Sequence, residues 1–190
     1  GSERFSELEG HFWGHLETRP YMRARLGLAQ ALRTLGRDHE AIDHYTEMLR
    51  LNPGDNQGVR YLLLPALLEQ GRNEEAGAVL ERYKDDIQAT WPYARTLWLF
   101  RTEGDTPRTH ASLNEAVGIN PYVLKYLVAP ESIPIGVPSH FTLGSEEEAV
   151  YAAEGLLDAF EATEGALLWL ARQKSGAKAT RRVRKRARRH

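Results

Sequence analysis

His11 and His15 stand four residues apart in HFWGHLE, the spacing that on a helix sets two imidazoles on one face and offers them to a metal. A zinc protease needs a Glu beside the first His, and Phe12 holds that place; Glu17 could add an oxygen ligand, but the chain has no Cys to complete a structural site. A partly buried histidine pair beside Trp13 is the ordinary reading, so neither metal nor cofactor is expected. Glu146, Glu147 and Glu148 look like a carboxylate cluster. They follow Ser145 and precede an apolar run, where acids serve the helix dipole and Ser is the N-cap. No Gly-Lys-Ser/Thr phosphate loop, GxGxxG or G-x-S-x-G occurs. These residues give no catalytic site, and the chain is expected not to be an enzyme.

Cations are the other chemistry-bearing group. Residues 174–190, KSGAKATRRVRKRARRH, hold nine of the chain's 25 Lys and Arg and no acid, so the net charge of −1 divides into −10 on residues 1–173 and +9 on this tail. Arg181, Arg182, Arg184, Lys185, Arg186, Arg188 and Arg189 form its densest part. Such a run can neutralise phosphates in a salt-dependent, sequence-blind way, although no aromatic residue interleaves it to stack on bases. It can also contact an acidic partner, fold back on the acidic body or remain solvated. The folded domain is expected to end near Gln173, giving a domain of 1–173 and a basic tail of 174–190.

The elements that must position any site follow from composition and period. With 190 residues, 42% hydrophobic and 27% charged, the chain can bury a sizeable core, which excludes the disordered, collagenous and disulfide-stapled classes. No apolar run approaches the roughly 20 residues of a membrane span. The opening GSERFSELEG lacks the order of a secretory signal, and its Gly-Ser start without Met has the form of an expression remnant. A cytoplasmic location is expected.

Gly36, Gly71 and Gly104 lie 35 and 33 residues apart. Each opens the same pattern: Ala41, Tyr45 and Met48 after the first, Ala76, Leu80 and Tyr83 after the second, Thr109, Leu113 and Ala116 after the third. Before each glycine runs an apolar stretch of helical period: Leu28, Ala29 and Leu32, then Leu63, Leu64 and Leu67, then Leu97 and Phe100. Each unit reads as helix A, a Gly turn and helix B, the small Ala41 or Ala76 letting the two helices approach. LeuAsnPro at 51–53 and IleAsnPro at 119–121 close units one and three, and Asp55 or Asn56 can cap the helix that follows. Pro65 sits inside the second A helix, either as a packing kink or as a device that exposes the carbonyl of Tyr61. After Asn120 a short helix to about Val128 and a Pro-rich loop precede helix 145–160, the B helix of a fourth repeat whose A helix is shortened. Residues 164–172 give a last amphipathic helix.

Leu28, Ala29, Gly36, Ala41, Tyr45 and Pro53 carry a resemblance to the tetratricopeptide repeat family. The second repeat matches without its closing proline, and the third has Thr109 for the small alanine. The stretches LETRPYMRARLGLA, LNPGDNQGVRYLL, NPYVLKYL and GSEEEAVYAAEGLLDAFEATEGALLWL further resemble the C-terminal repeat region shared by the suppressor of tumorigenicity family and a group of bacterial tetratricopeptide proteins of undefined function. The resemblance implies an all-α, right-handed α-α superhelix of three full repeats, a degenerate fourth and a capping helix. It also implies a non-enzymatic module that binds a protein segment in the groove of its A helices.

Carried over position by position, the family pattern points Arg23, Leu26, Gln30 and Arg33 of repeat one into the groove, with Tyr61 and Leu68 of repeat two and Ala94, Trp98 and Arg101 of repeat three. The A helices carry Arg23, Arg25, Arg33, Arg60, Arg95 and Arg101 against only Glu69 and Glu103, while the B helices are acidic. Arg forks bind carboxylates and aromatic rings supply rigid contact, so the expected guest is an acidic or C-terminal peptide with an apolar anchor. Alternatively, the arginines pair with acids of neighbouring helices and Trp98 is core. The rival function is nucleic-acid association through the tail.

Overall fold

The computed structural model describes residues 7–136 and 140–173. Among these residues the regular structure is helical throughout, as the repeat pattern requires, and the chain divides into two units, 1–79 and 80–190.

In the first unit, a 3-10 turn at Leu16–Thr18 leads into α1, Arg19–Thr34. Met22, Ala29 and Leu32 are the side chains that α1 buries, and they pack on α2, Asp38–Leu51. Leu28 belongs to the apolar period but lies at the edge of the buried face, about half exposed. Helix α2 buries Ala41, Ile42, Tyr45, Met48 and Leu49, the positions the repeat assigns to the interior. Between the helices Gly36 has φ 70°, a left-handed value that costs glycine little. The turn closes through Gly36 N–H to Arg33 C=O at 3.0 Å and Arg37 N–H to Leu32 C=O at 2.9 Å, the paired bonds of a Schellman motif. One period later the same bonds recur, from Gly71 to Leu68 and from Arg72 to Leu67.

Pro53 follows the end of α2 as expected, and Asp55 caps α3, Arg60–Glu69. Its carboxylate accepts from Val59 N–H at 2.7 Å, Arg60 N–H at 3.0 Å and the Arg60 guanidinium at 2.9 Å. Pro65 is buried in the middle of α3, in a run from Leu63 to Leu68 that is wholly interior. Helix α3 packs on α2, and α4, Asn73–Arg82, is the second B helix.

In the second unit, α5 (Thr90–Glu103) packs against α6 (Pro107–Ile119). The turn between them departs from the first two. Thr106 caps α6, its hydroxyl accepting from Thr109 N–H at 3.3 Å, and the Thr109 hydroxyl donates to Gly104 C=O at 2.8 Å. Thr109 thus stands in the alanine position because it ties down a differently shaped turn. Asn120 ends α6 and caps α7, Pro121–Leu127, accepting from Tyr122 N–H at 3.1 Å.

Helix α7 packs on α8, Glu146–Glu161, and makes the shortened fourth pair; between them the chain holds only a 3-10 turn at Pro130–Ser132 among the described residues. Helix α9, from 166 to 173, buries Ala166, Trp169 and Leu170. The Trp169 indole donates to Asp105 at 2.9 Å and its ring stacks near Phe100 and His110, which places this helix against the third repeat.

Candidate functional site

The site residues expected from the sequence divide between the two units. In the first, Arg23 and Gln30 are both exposed on α1, seven residues apart and so on one helical face. The Arg23 guanidinium lies 5.9 Å from the centre of the Trp13 ring, and Arg19 lies 5.3 Å from it while its Nε donates to the Trp13 carbonyl at 2.9 Å. Trp13 is therefore a half-buried aromatic flanked by two guanidiniums, a cation–π arrangement that the sequence pattern did not single out. Its signal was the dense run of aromatic and cationic residues from Phe12 to Arg25.

Arg33, also on α1, is committed inside the molecule. It donates to Asp38 at 2.6 Å and to Glu69 of α3 at 2.5 Å. Burial works against its charge, and Glu69 and then Asp38 more than restore it, so its pKa lies above the ordinary arginine value. Of the two readings open for the arginines, pairing with neighbouring acids is the one Arg33 adopts. Gln70 reinforces the same knot by donating to Asp38 at 2.9 Å. Tyr61 is half-buried at the start of α3 under the Arg60 guanidinium, 4.4 Å from its ring centre, and its hydroxyl accepts from Arg60 at 2.9 Å.

In the second unit, Trp98 and Arg101 sit half-buried on α5. Burial pushes the Arg101 guanidinium below its ordinary pKa. Trp98 is thus neither wholly core nor wholly presented.

The histidine pair is corrected. Residues 11–15 form turns ahead of the first helix, so the four-residue spacing does not set the two imidazoles on a helical face. Among the described residues no group of three His, Asp or Glu is arranged to hold a metal. The Glu cluster is also corrected at one position. Ser145 caps α8 as expected, accepting from Glu148 N–H at 3.2 Å, but the Glu148 side chain is only 1% exposed. It accepts from Gly144 N–H at 2.6 Å, Ala89 N–H at 2.9 Å and Asn120 Nδ2 at 3.0 Å. Tyr93, whose phenol burial pushes up in pKa and keeps a donor, reaches the Asn120 carbonyl at 2.8 Å. This polar knot holds the second unit together and presents nothing to a ligand. The basic tail, Arg181 to Arg189, lies outside the described residues.

Residues 36–97 match the sequence model of the tetratricopeptide repeat family. The match starts at the first glycine turn and ends within α5, so this stretch is of tetratricopeptide type, and such repeats generally mediate protein–protein interaction. No curated protein and no solved structure matches the chain significantly. The narrower resemblance to the suppressor of tumorigenicity family stands on its quoted residues alone. No helix among the described residues is long and apolar enough to cross a membrane.

Proposed function

We propose that the chain is a non-enzymatic interaction module that takes an acidic or carboxylate-bearing peptide on its A helices. The observation that carries this reading is the exposed pair Arg23 and Gln30 on one face of α1, with the Arg23 guanidinium laid over Trp13. A guanidinium held beside an indole keeps N–H groups available to a carboxylate at reduced entropic cost. Arg33, three residues past Gln30, carries two acids already, so Arg23 would make the first contact. Within the same unit Tyr61 would supply an aromatic anchor; in the second unit Trp98 and Arg101 would offer an aromatic contact and a cation of their own.

Titration of a fluorescein-labelled acidic peptide with a free C-terminal carboxylate tests the reading. Arg23→Ala should weaken binding by about tenfold, the loss expected for one charge-assisted hydrogen-bonded contact. Equal affinity of Arg23→Ala and the parent for every such peptide would sink it. The second reading, phosphate binding by the tail, is favoured by the nine cations of residues 174–190. A chain ending at Gln173 that loses retention on a polyanion column, yet keeps its peptide affinity, assigns the two activities to separate places.

A further inference from the structure

Helix α1 carries a second surface, distinct from the face of Arg23 and Gln30. Ala24, Leu28, Ala31 and Leu35 repeat at intervals of four, three and four residues and line one side of the helix, all exposed. Leu28 is 49% and Leu35 71% exposed. A regular apolar stripe left open to solvent is the kind of patch that marks an interaction surface.

The repeat itself says what such a stripe is for. Thirty-five residues on, the same positions are Val59, Leu63, Ala66 and Gln70 of the second repeat. Leu63 is 2% and Ala66 0% exposed, and the helix they belong to, α3, packs on α2. The helix on which α3 packs is acidic, with Asp38, Glu40, Asp43 and Glu47 along it, and its Asp38 accepts from Gln70 at the end of this row. Residues 19–37, which bear the uncovered stripe, contain Arg19, Arg23, Arg25, Arg33 and Arg37 and no acid. A second copy of the same face would set arginine against arginine, whereas an acidic helix would meet opposite charge on both flanks.

We propose that Ala24, Leu28, Ala31 and Leu35 form a docking site for an acidic amphipathic helix of a partner protein, which seats on α1 as α2 seats on α3. Ala24 and Ala31 let the two helix axes approach, and the two leucines interdigitate with the guest's apolar row.

The test uses a lactam-stapled peptide of residues 37–53, the acidic helix on which α3 packs; stapling removes the cost of nucleating an isolated helix. Fluorescence anisotropy with the full chain should show saturable binding. Leu28→Glu with Leu35→Glu should weaken it at least about tenfold, the scale of one leucine side chain kept in water. Circular dichroism and melting should be unchanged, since both positions are exposed, and binding of the carboxylate peptide of the preceding section should persist. A peptide with its four acids changed to Lys should bind more weakly. Absence of binding by the parent chain, or binding indifferent to the two leucine substitutions, overturns the proposal. So does a parent chain that sediments as a dimer and becomes monomeric on Leu28→Glu with Leu35→Glu, because the occupant is then a second copy.

Discussion

Asn120 Nδ2 donates to Glu148 Oε2 at 3.0 Å, with both side chains closed to solvent. The residue that ends the third B helix is thereby bonded to the first turn of the fourth. The other carboxylate oxygen takes Ala89 N–H, next to the start of α5.

Replacing that carboxylate should be costly. In Glu148→Gln one oxygen becomes an NH2 group facing N–H donors, which leaves buried groups unmatched and should cost about 2 kcal/mol. Urea unfolding of the two forms measures it, and a difference within about 0.5 kcal/mol would mean that the knot adds nothing a neutral surface position does not.

Two glycines should respond with opposite signs. Gly36 has φ 70° with no atom close to an added Cβ, so Gly36→Ala should destabilise by about 1 kcal/mol through backbone strain alone. Gly27 lies within α1, also with open space around it, and Gly27→Ala should stabilise by about 0.5–1 kcal/mol. Thermal melts of both, run together, check the pair.

Arg33 and Glu69 should prove coupled. The pair spans α1 and α3 at 2.5 Å with both side chains largely covered, and a double-mutant cycle through Arg33→Ala and Glu69→Ala should return about 1 kcal/mol of interaction. A coupling of zero would return Arg33 to the list of side chains available to a guest.

The Lys125–Glu146 pair sets a pH dependence. Lys125 first and Tyr126 next hold the Glu146 carboxyl below its ordinary 4.5, and Glu146 raises Lys125 above its ordinary 10.5. A depressed carboxylate gives stability that is present above 4.5 and lost as pH falls through its folded value; a raised lysine gives stability present below 10.5 and lost as pH rises through its own. The stability gap between the parent chain and Glu146→Gln should therefore be flat between these limits and shrink on either side. A gap that grows below pH 4 would contradict the assignment.

The periodic elements were legible because their signals are local. Gly36 and Gly71 mark left-handed turns, Ala41 and Tyr45 mark a helix face, and Ser145, Asn120 and Asp55 declare caps by residue type. Glu148 was not legible as a buried hub, since its donors come from Gly144, Asn120 and Ala89, and only the fold brings the latter two near. The Glu-rich start of a helix reads the same whether its third acid faces water or backbone N–H groups. Arg33 was ambiguous for a related reason: Glu69 is 36 residues away, one repeat plus one, so the pairing depends on how adjacent A helices register. The spacing of His11 and His15 suggested a shared helical face, but spacing carries that meaning only on a helix, and the chain between Gly10 and Gly14 turns instead.

Proteins of this architecture commonly gain or lose units one at a time, since each repeat meets only its neighbours. Glu148 works against that between the third and fourth repeats. It takes a backbone bond from Ala89, 59 positions earlier, and a side-chain bond from Asn120, so excising the segment from Ala89 to Asn120 would strip a buried carboxylate of two donors at once. The third and fourth repeats are therefore coupled through Glu148, and a graft or deletion that separates them should cost more than one made between repeats without such a bond.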